Sequence, residues 1–186
     1  MCSDDTEHTC MVAQALLASG GEPEAFARSL AWRLRGWLLG LPAGIGFATL
    51  RALLKLWVGF PPHKSGVFSA GNGPAMRAPL LGVLAGPGSG ELEAWVQAST
   101  RLTHTDPLAE EGALFVALAA QSAAWNGDGP VDPAEMMGLL QSRATSPQFR
   151  EALELGSEHL ATASSGPQFS EALGCSEGIT GYILHT

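Results

Sequence analysis

Charge is what this chain has least of. Only 15% of its 186 residues are Asp, Glu, Lys or Arg, against roughly 25% in an average globular protein. Basic residues are the scarcer half: 10 Lys and Arg stand against 18 Asp and Glu, for a formal net charge of −8. Phosphate backbones are gripped by clustered Lys and Arg, so this balance excludes nucleic acid as a partner. One anion-friendly pocket is still allowed. Cysteine is also sparse, and Cys2, Cys10 and Cys175 are odd in number and unrelated in spacing. That pattern excludes a disulfide framework and a zinc motif. Long apolar runs are missing too. The longest charge-free stretches, 36–50 and 112–127, fall short of the ~20 apolar residues that span a bilayer, and Pro42 breaks the first. Asp4, Asp5 and Glu7 follow Met1 almost at once, where a leader would carry a basic and then an apolar run. These absences together predict a soluble, cytoplasmic protein with no membrane partner.

What is present reads as helix. Apolar residues make up 46% of the chain, enough to bury a core, and alternating β-branched runs are absent. A first helix is expected from Asp4, with Glu7 as its capping-box partner and Gly20-Gly21 as its stop. Further helices are expected over 23–39, 48–58, 74–84, 92–102, 107–125 and 133–140, with a Gly-rich stretch at 66–73. Several open on proline, which is tolerated at the first helical position because its missing N–H has no partner there anyway. The segment Pro147-Gln-Phe-Arg-Glu-Ala-Leu153 returns, with one change, as Pro167-Gln-Phe-Ser-Glu-Ala-Leu173. Two copies are too few for a solenoid and read as two similar helix starts. The expectation is one all-α domain over residues 1–186, of eight or so helices.

Three stretches are candidates for chemistry. Ser3-Asp4-Asp5-Thr6 places two carboxylates side by side, which repel unless something offsets them. A helix N-terminus would do so, with Asp4 as cap; so would a hard cation, for which these oxygens suit Mg²⁺ or Mn²⁺ better than zinc. Gly71-Asn72-Gly73-Pro74-Ala75-Met76-Arg77 is a Gly-flanked turn entering a helix. It is either an ordinary entry or an anion site, built from free backbone N–H groups with Arg77 adding a charged fork. In Thr103-His104-Thr105-Asp106-Pro107, Asp106 and Pro107 start a helix and His104 sits near its positive end. A histidine there is held neutral and able to donate without titrating. Gly44-Ile45-Gly46 follows no strand and is not a dinucleotide fingerprint. His8, four residues beyond Asp4, reads as cover for the helix surface.

In this order the three stretches, with the carboxyl end from Gly178 to Thr186, resemble the ADP-ribosylglycohydrolase family. The resemblance implies an all-α fold and hydrolysis of N- or O-glycosidic bonds between ADP-ribose and a side chain, with two Mg²⁺ or Mn²⁺ ions. ADP-ribose, free or on a modified protein, is the implied partner. By resemblance Ser3, Asp4 and Asp5 would be metal ligands, and Asp4 or Asp5 would orient the attacking water. Asn72, Gly73, Met76 and Arg77 would shape the ADP-ribose loop. His104 would face the diphosphate and Tyr182 would stack on adenine. The family's Gly-Asp-Ala-Leu-Gly-like and Gly-Asp-x-Asp-Thr-like motifs have no counterpart here. The sequence therefore reads as the central piece of such a domain, with an incomplete metal site and little turnover by itself. The alternative is an inactive ADP-ribose-binding or structural relative.

Overall fold

A computed structural model of the chain describes residues 3–127, 129–160, 162, 165–175 and 181–185. Among them run ten α-helices. In chain order they are α1 (Asp4–Ser19), α2 (Pro23–Leu39), α3 (Phe47–Trp57), α4 (Pro62–Ser65), α5 (Ala78–Leu84), α6 (Leu92–Arg101), α7 (Pro107–Trp125), α8 (Pro133–Arg143), α9 (Pro147–Leu160) and α10 (Gly166–Ala172). Short 3-10 turns span Ala75–Arg77 and Ile183–His185. No strand occurs among the described residues, so the fold is all-α. Of the carboxyl-terminal segment in the family resemblance, residues 178–180 and 186 lie outside the described residues.

The helix starts follow one local rule. A side-chain oxygen precedes the helix and takes up orphan N–H groups, and proline often comes next. Glu22 accepts from the N–H groups of Glu24 and Ala25, Asp106 from that of Leu108, and Asp132 from that of Ala134. At α1 the expected capping box does not form. Ser3, not Asp4, is the cap, its Oγ accepting from the Thr6 N–H, while Glu7 Oε2 accepts from Trp37 Nε1 at 2.6 Å. With Ser3 as cap, Glu7 falls one residue past the capping-box position, and its carboxylate is taken by an indole N–H from α2. Gly20 closes α1 in the left-handed conformation at φ 61°, which glycine adopts without steric cost. Both copies of the repeated heptapeptide open helices, α9 and α10, as expected. Helix α8 runs on to Arg143, three residues past its expected end.

The core gathers Val12, Ala15 and Leu16 of α1, Phe26, Leu30 and Leu34 of α2, and Ala113, Ala117 and Leu118 of α7 into one buried cluster. Burying each large side chain contributes about 1.5–3 kcal/mol. Helices α5 and α7 touch at Gly82, where a Cβ would collide with the Ala117 carbonyl. Among the described residues no helix is long and apolar enough to cross a membrane.

Two isolated bridges pin the irregular segments that carry the site. Val67 pairs with His104, the Val67 N–H donating to Thr103 O at 3.1 Å and the Thr105 N–H to Val67 O at 3.0 Å. Gly71 pairs with Tyr182, flanked by Asn72 N–H to Gly181 O and Ile183 N–H to Ala70 O, both at 2.9 Å. The Gly-rich stretch is thereby held against the end of α6 on one side and the carboxyl-terminal segment on the other.

Candidate functional site

The held loop roofs a cavity of about 600 Å³, within the ordinary range of small-molecule pockets. Its wall is assembled from segments far apart in sequence. Asp4 and His8 come from α1, and Gly44 to Thr49 with Arg51 from the entry and first turns of α3. Asn72, Gly73 and Met76 come from the loop, and His104 from the segment after α6. Gly71 and Gly73 are small because the loop crosses directly over the imidazole. A Cβ at either position would stand 3.0 Å from a His104 ring atom.

Beneath the cavity lies a cation. Arg77 is fully buried and makes no ion pair with a carboxylate among the described residues. Its Nε donates to Ser99 Oγ at 3.2 Å, and its Nη2 to Ser99 O at 3.0 Å and Thr103 Oγ1 at 2.9 Å. Its Nη1 lies 3.5 Å from His8 Nδ1. Burial lowers the Arg77 pKa to about 10, which leaves it charged at neutral pH. Both histidines beside it are buried. Desolvation, and after it the Arg77 charge, lowers the pKa of His8 to about 3 and that of His104 to about 4. His104 is thus neutral, as its place before a helix suggested, but burial and a buried cation are the causes, not the helix end.

The remaining expected residues divide. Asn72, Gly73, Met76 and His104 reach the cavity wall together with Asp4. Arg77 does not; it serves the wall from behind. Nor are all the loop N–H groups free for an anion. Those of Asn72, Met76 and Arg77 donate to Gly181 O, Asn72 O and Pro74 O. Tyr182 is 36% exposed and lies outside the wall, to which its neighbour Gly181 contributes. His8, read as surface cover, is fully buried, its ring meeting the Trp37 ring edge-on at 4.4 Å.

Other wall residues carried no signal in the motifs. Phe47 and Phe68 line the mouth and are 74% and 78% exposed. Arg51, its guanidinium 5.6 Å from the Phe47 ring, is the cation that the wall itself presents. The i to i+4 spacing of Phe47 and Arg51 on α3 is the one clue the sequence held.

The expected cation pair finds no matching donor set. Two close divalent ions need several converging anionic oxygens. Of the three expected ligands only Asp4 stands in the wall, Asp5 is exposed outside it, and Ser3 Oγ is engaged in capping α1. Among the described residues no group of three or more His, Cys, Asp or Glu side chains is placed to hold a metal. These residues alone do not fit the ion pair.

The helical architecture agrees with the sequence comparison. The chain belongs to the ADP-ribosylglycohydrolase family, which it matches over residues 1–186. An uncharacterized protein of Archaeoglobus fulgidus is 34% identical over 119 residues, which is 63% of this chain and 38% of that protein. The chain therefore spans well under half the length of this relative.

Proposed function

We propose that this cavity binds the ADP-ribose unit, and that the chain contributes this binding wall to a hydrolase that cleaves ADP-ribosyl linkages on modified side chains. One observation carries the reading: Asp4, Asn72, Gly73, Met76 and His104, from three separate motifs, line one cavity. Family membership supplies the substrate class. His104, a neutral donor under the glycine roof, faces the diphosphate. Arg51 adds the positive charge at the wall, and Phe47 and Phe68 offer the aromatic faces on which a base stacks. Asp4 holds the attacking water by accepting its proton. Oxygen then bonds to the anomeric carbon as the glycosidic bond breaks, and the departing side chain keeps the electron pair and takes up a proton from solvent water.

A second reading, a binding module without turnover, is favoured by Asp4 being the one carboxylate in the wall among the described residues. Glycosidic hydrolysis ordinarily uses two carboxyl groups flanking the bond. Calorimetric titration with ADP-ribose and turnover of an ADP-ribosylated peptide in millimolar Mg²⁺ or Mn²⁺ separate the readings. The expected result is binding that His104→Ala weakens at least tenfold, with little turnover by this chain alone. Robust turnover abolished by Asp4→Ala would refute the binding-only reading. Absence of any ADP-ribose binding would refute both.

A further inference from the structure

The donor and acceptor chemistry around Arg77 fixes where the imidazole protons sit. A guanidinium can only donate. His8 Nδ1, facing Arg77 Nη1 at 3.5 Å, must therefore be the bare nitrogen, which leaves the proton on Nε2. Thr103 Oγ1 accepts from Arg77 Nη2 at 2.9 Å and lies 2.9 Å from His104 Nδ1. Thr103 is fully buried. A hydroxyl has two lone pairs but one proton to give. Among the described residues the hydrogen-bond partners of Thr103 Oγ1 are Arg77, which cannot accept, and His104, so the proton goes to His104 Nδ1 and His104 likewise carries its own on Nε2. The guanidinium thus orders one histidine directly and the other through a hydroxyl.

We infer that Arg77 is a positioning residue that holds His8 and His104 in the same tautomer, each with a proton on Nε2, so that the cavity wall has a donor at His104. At His104 that Nε2 is the atom nearest to where a Gly71 Cβ would stand. At His8 the Nε2 is closed off from water and has no hydrogen-bond partner among the described residues. Such a wall selects oxygen acceptors. A neutral N–H does not demand a charged partner, and the cation behind it reinforces the preference for anions. Arginine suits the task where lysine would not. Its planar fork reaches Ser99, Thr103 and His8 from one fixed plane, whereas an ammonium is a single point of charge. Identifying the oxygen-rich ligand as ADP-ribose rests on the reading above; the tautomer assignment does not.

The test is the imidazole nitrogen spectrum of the ¹⁵N-labelled chain at neutral pH. In the unmodified protein, His8 and His104 should each show a protonated Nε2 and a bare Nδ1. Thr103→Val, which keeps shape and removes the hydroxyl, should collapse this pattern for His104 toward a tautomer average and leave His8 unchanged. Arg77→Met should disturb both. A protonated Nδ1 on either histidine of the unmodified chain overturns the inference even if no Arg77 variant folds. So does a Thr103→Val spectrum in which His104 is unaltered. ADP-ribose added to the unmodified chain should move the His104 Nε2 signal without changing the tautomer. If it moves nothing while the tautomers stand as stated, the lock is supported and the ADP-ribose reading fails.

Discussion

Two histidines buried neutral beside an unpaired guanidinium make stability depend on pH in a window where carboxylates contribute little. The folded pKa values of His8 and His104 are lowered to about 3 and about 4 from an ordinary 6.5. Unfolding therefore releases groups that take up protons below pH 6.5, so the unfolded state binds more protons and stability rises with pH. The stability these neutral rings provide is complete above pH 6.5. It drains away as pH falls toward 4 for His104 and toward 3 for His8. At pH 5 each ring costs about 1.5 pH units at 1.36 kcal/mol per unit, roughly 2 kcal/mol, and the pair costs roughly 4 kcal/mol. That figure depends on the folded values lying below 5 and not on how far below.

Against a typical total of about 5–15 kcal/mol, the loss is large. Urea unfolding at pH 7.5, 6.5, 5.5 and 5.0 measures it, and the lower half of the range should fall by about 2.7 kcal/mol per pH unit. His8→Phe keeps an aromatic ring against Trp37 and removes one titrating group. It should lower stability at neutral pH, by leaving Arg77 Nη1 without its partner, and halve the slope. Stability at pH 5 within about 1 kcal/mol of its pH 7.5 value would refute the reasoning, as would an unchanged slope in His8→Phe.

Two glycines on helices should respond to the same substitution with opposite signs. Gly82→Ala drives a Cβ into the Ala117 carbonyl, which as backbone cannot step aside, so overpacking of about 1–3 kcal/mol or more should outweigh the helix-propensity gain. Gly138 of α8 faces open space, and Gly138→Ala should stabilise by about 0.5–1 kcal/mol; denaturant midpoints read both. Trp37→Phe removes the indole donor to Glu7 and should cost about 1–2 kcal/mol. Its thermal midpoint should fall by several degrees, and a shift under 1 °C would mean that the bond contributes nothing.

The fold was largely legible because its punctuation is local. Helix α7 opens at Asp106-Pro107 and α8 at Asp132-Pro133, and oxygen followed by proline means the same thing at both sites. The mistakes fell where a distant partner decides. Ser3 takes the cap one residue before Asp4, which puts Glu7 out of capping-box register, and nothing local reveals that Trp37 will bind its carboxylate instead. Gly44-Ile45-Gly46 follows no strand among the described residues and is no dinucleotide fingerprint. Its actual place, in the cavity wall that Asp4 also lines, is set by how α3 lies against α2.

The site shows a sharper limit. Of the charged residues near an anion pocket, a reader of the sequence assigns the arginine in the motif to the anion. Here the motif arginine is buried under the wall, and the unremarked Arg51 faces the cavity. A guanidinium carries five donors and one charge, and either property can be the one a fold uses. Arg77 spends its donors on Ser99, Thr103 and His8, so its charge acts on a ligand only at a distance, through the field and through the histidines it orders. The same argument separates the two roles by experiment. An arginine that binds the ligand directly would, on replacement, weaken binding and leave the imidazole tautomers intact. An arginine that orders the wall must change the tautomers in the empty protein, before any ligand is added.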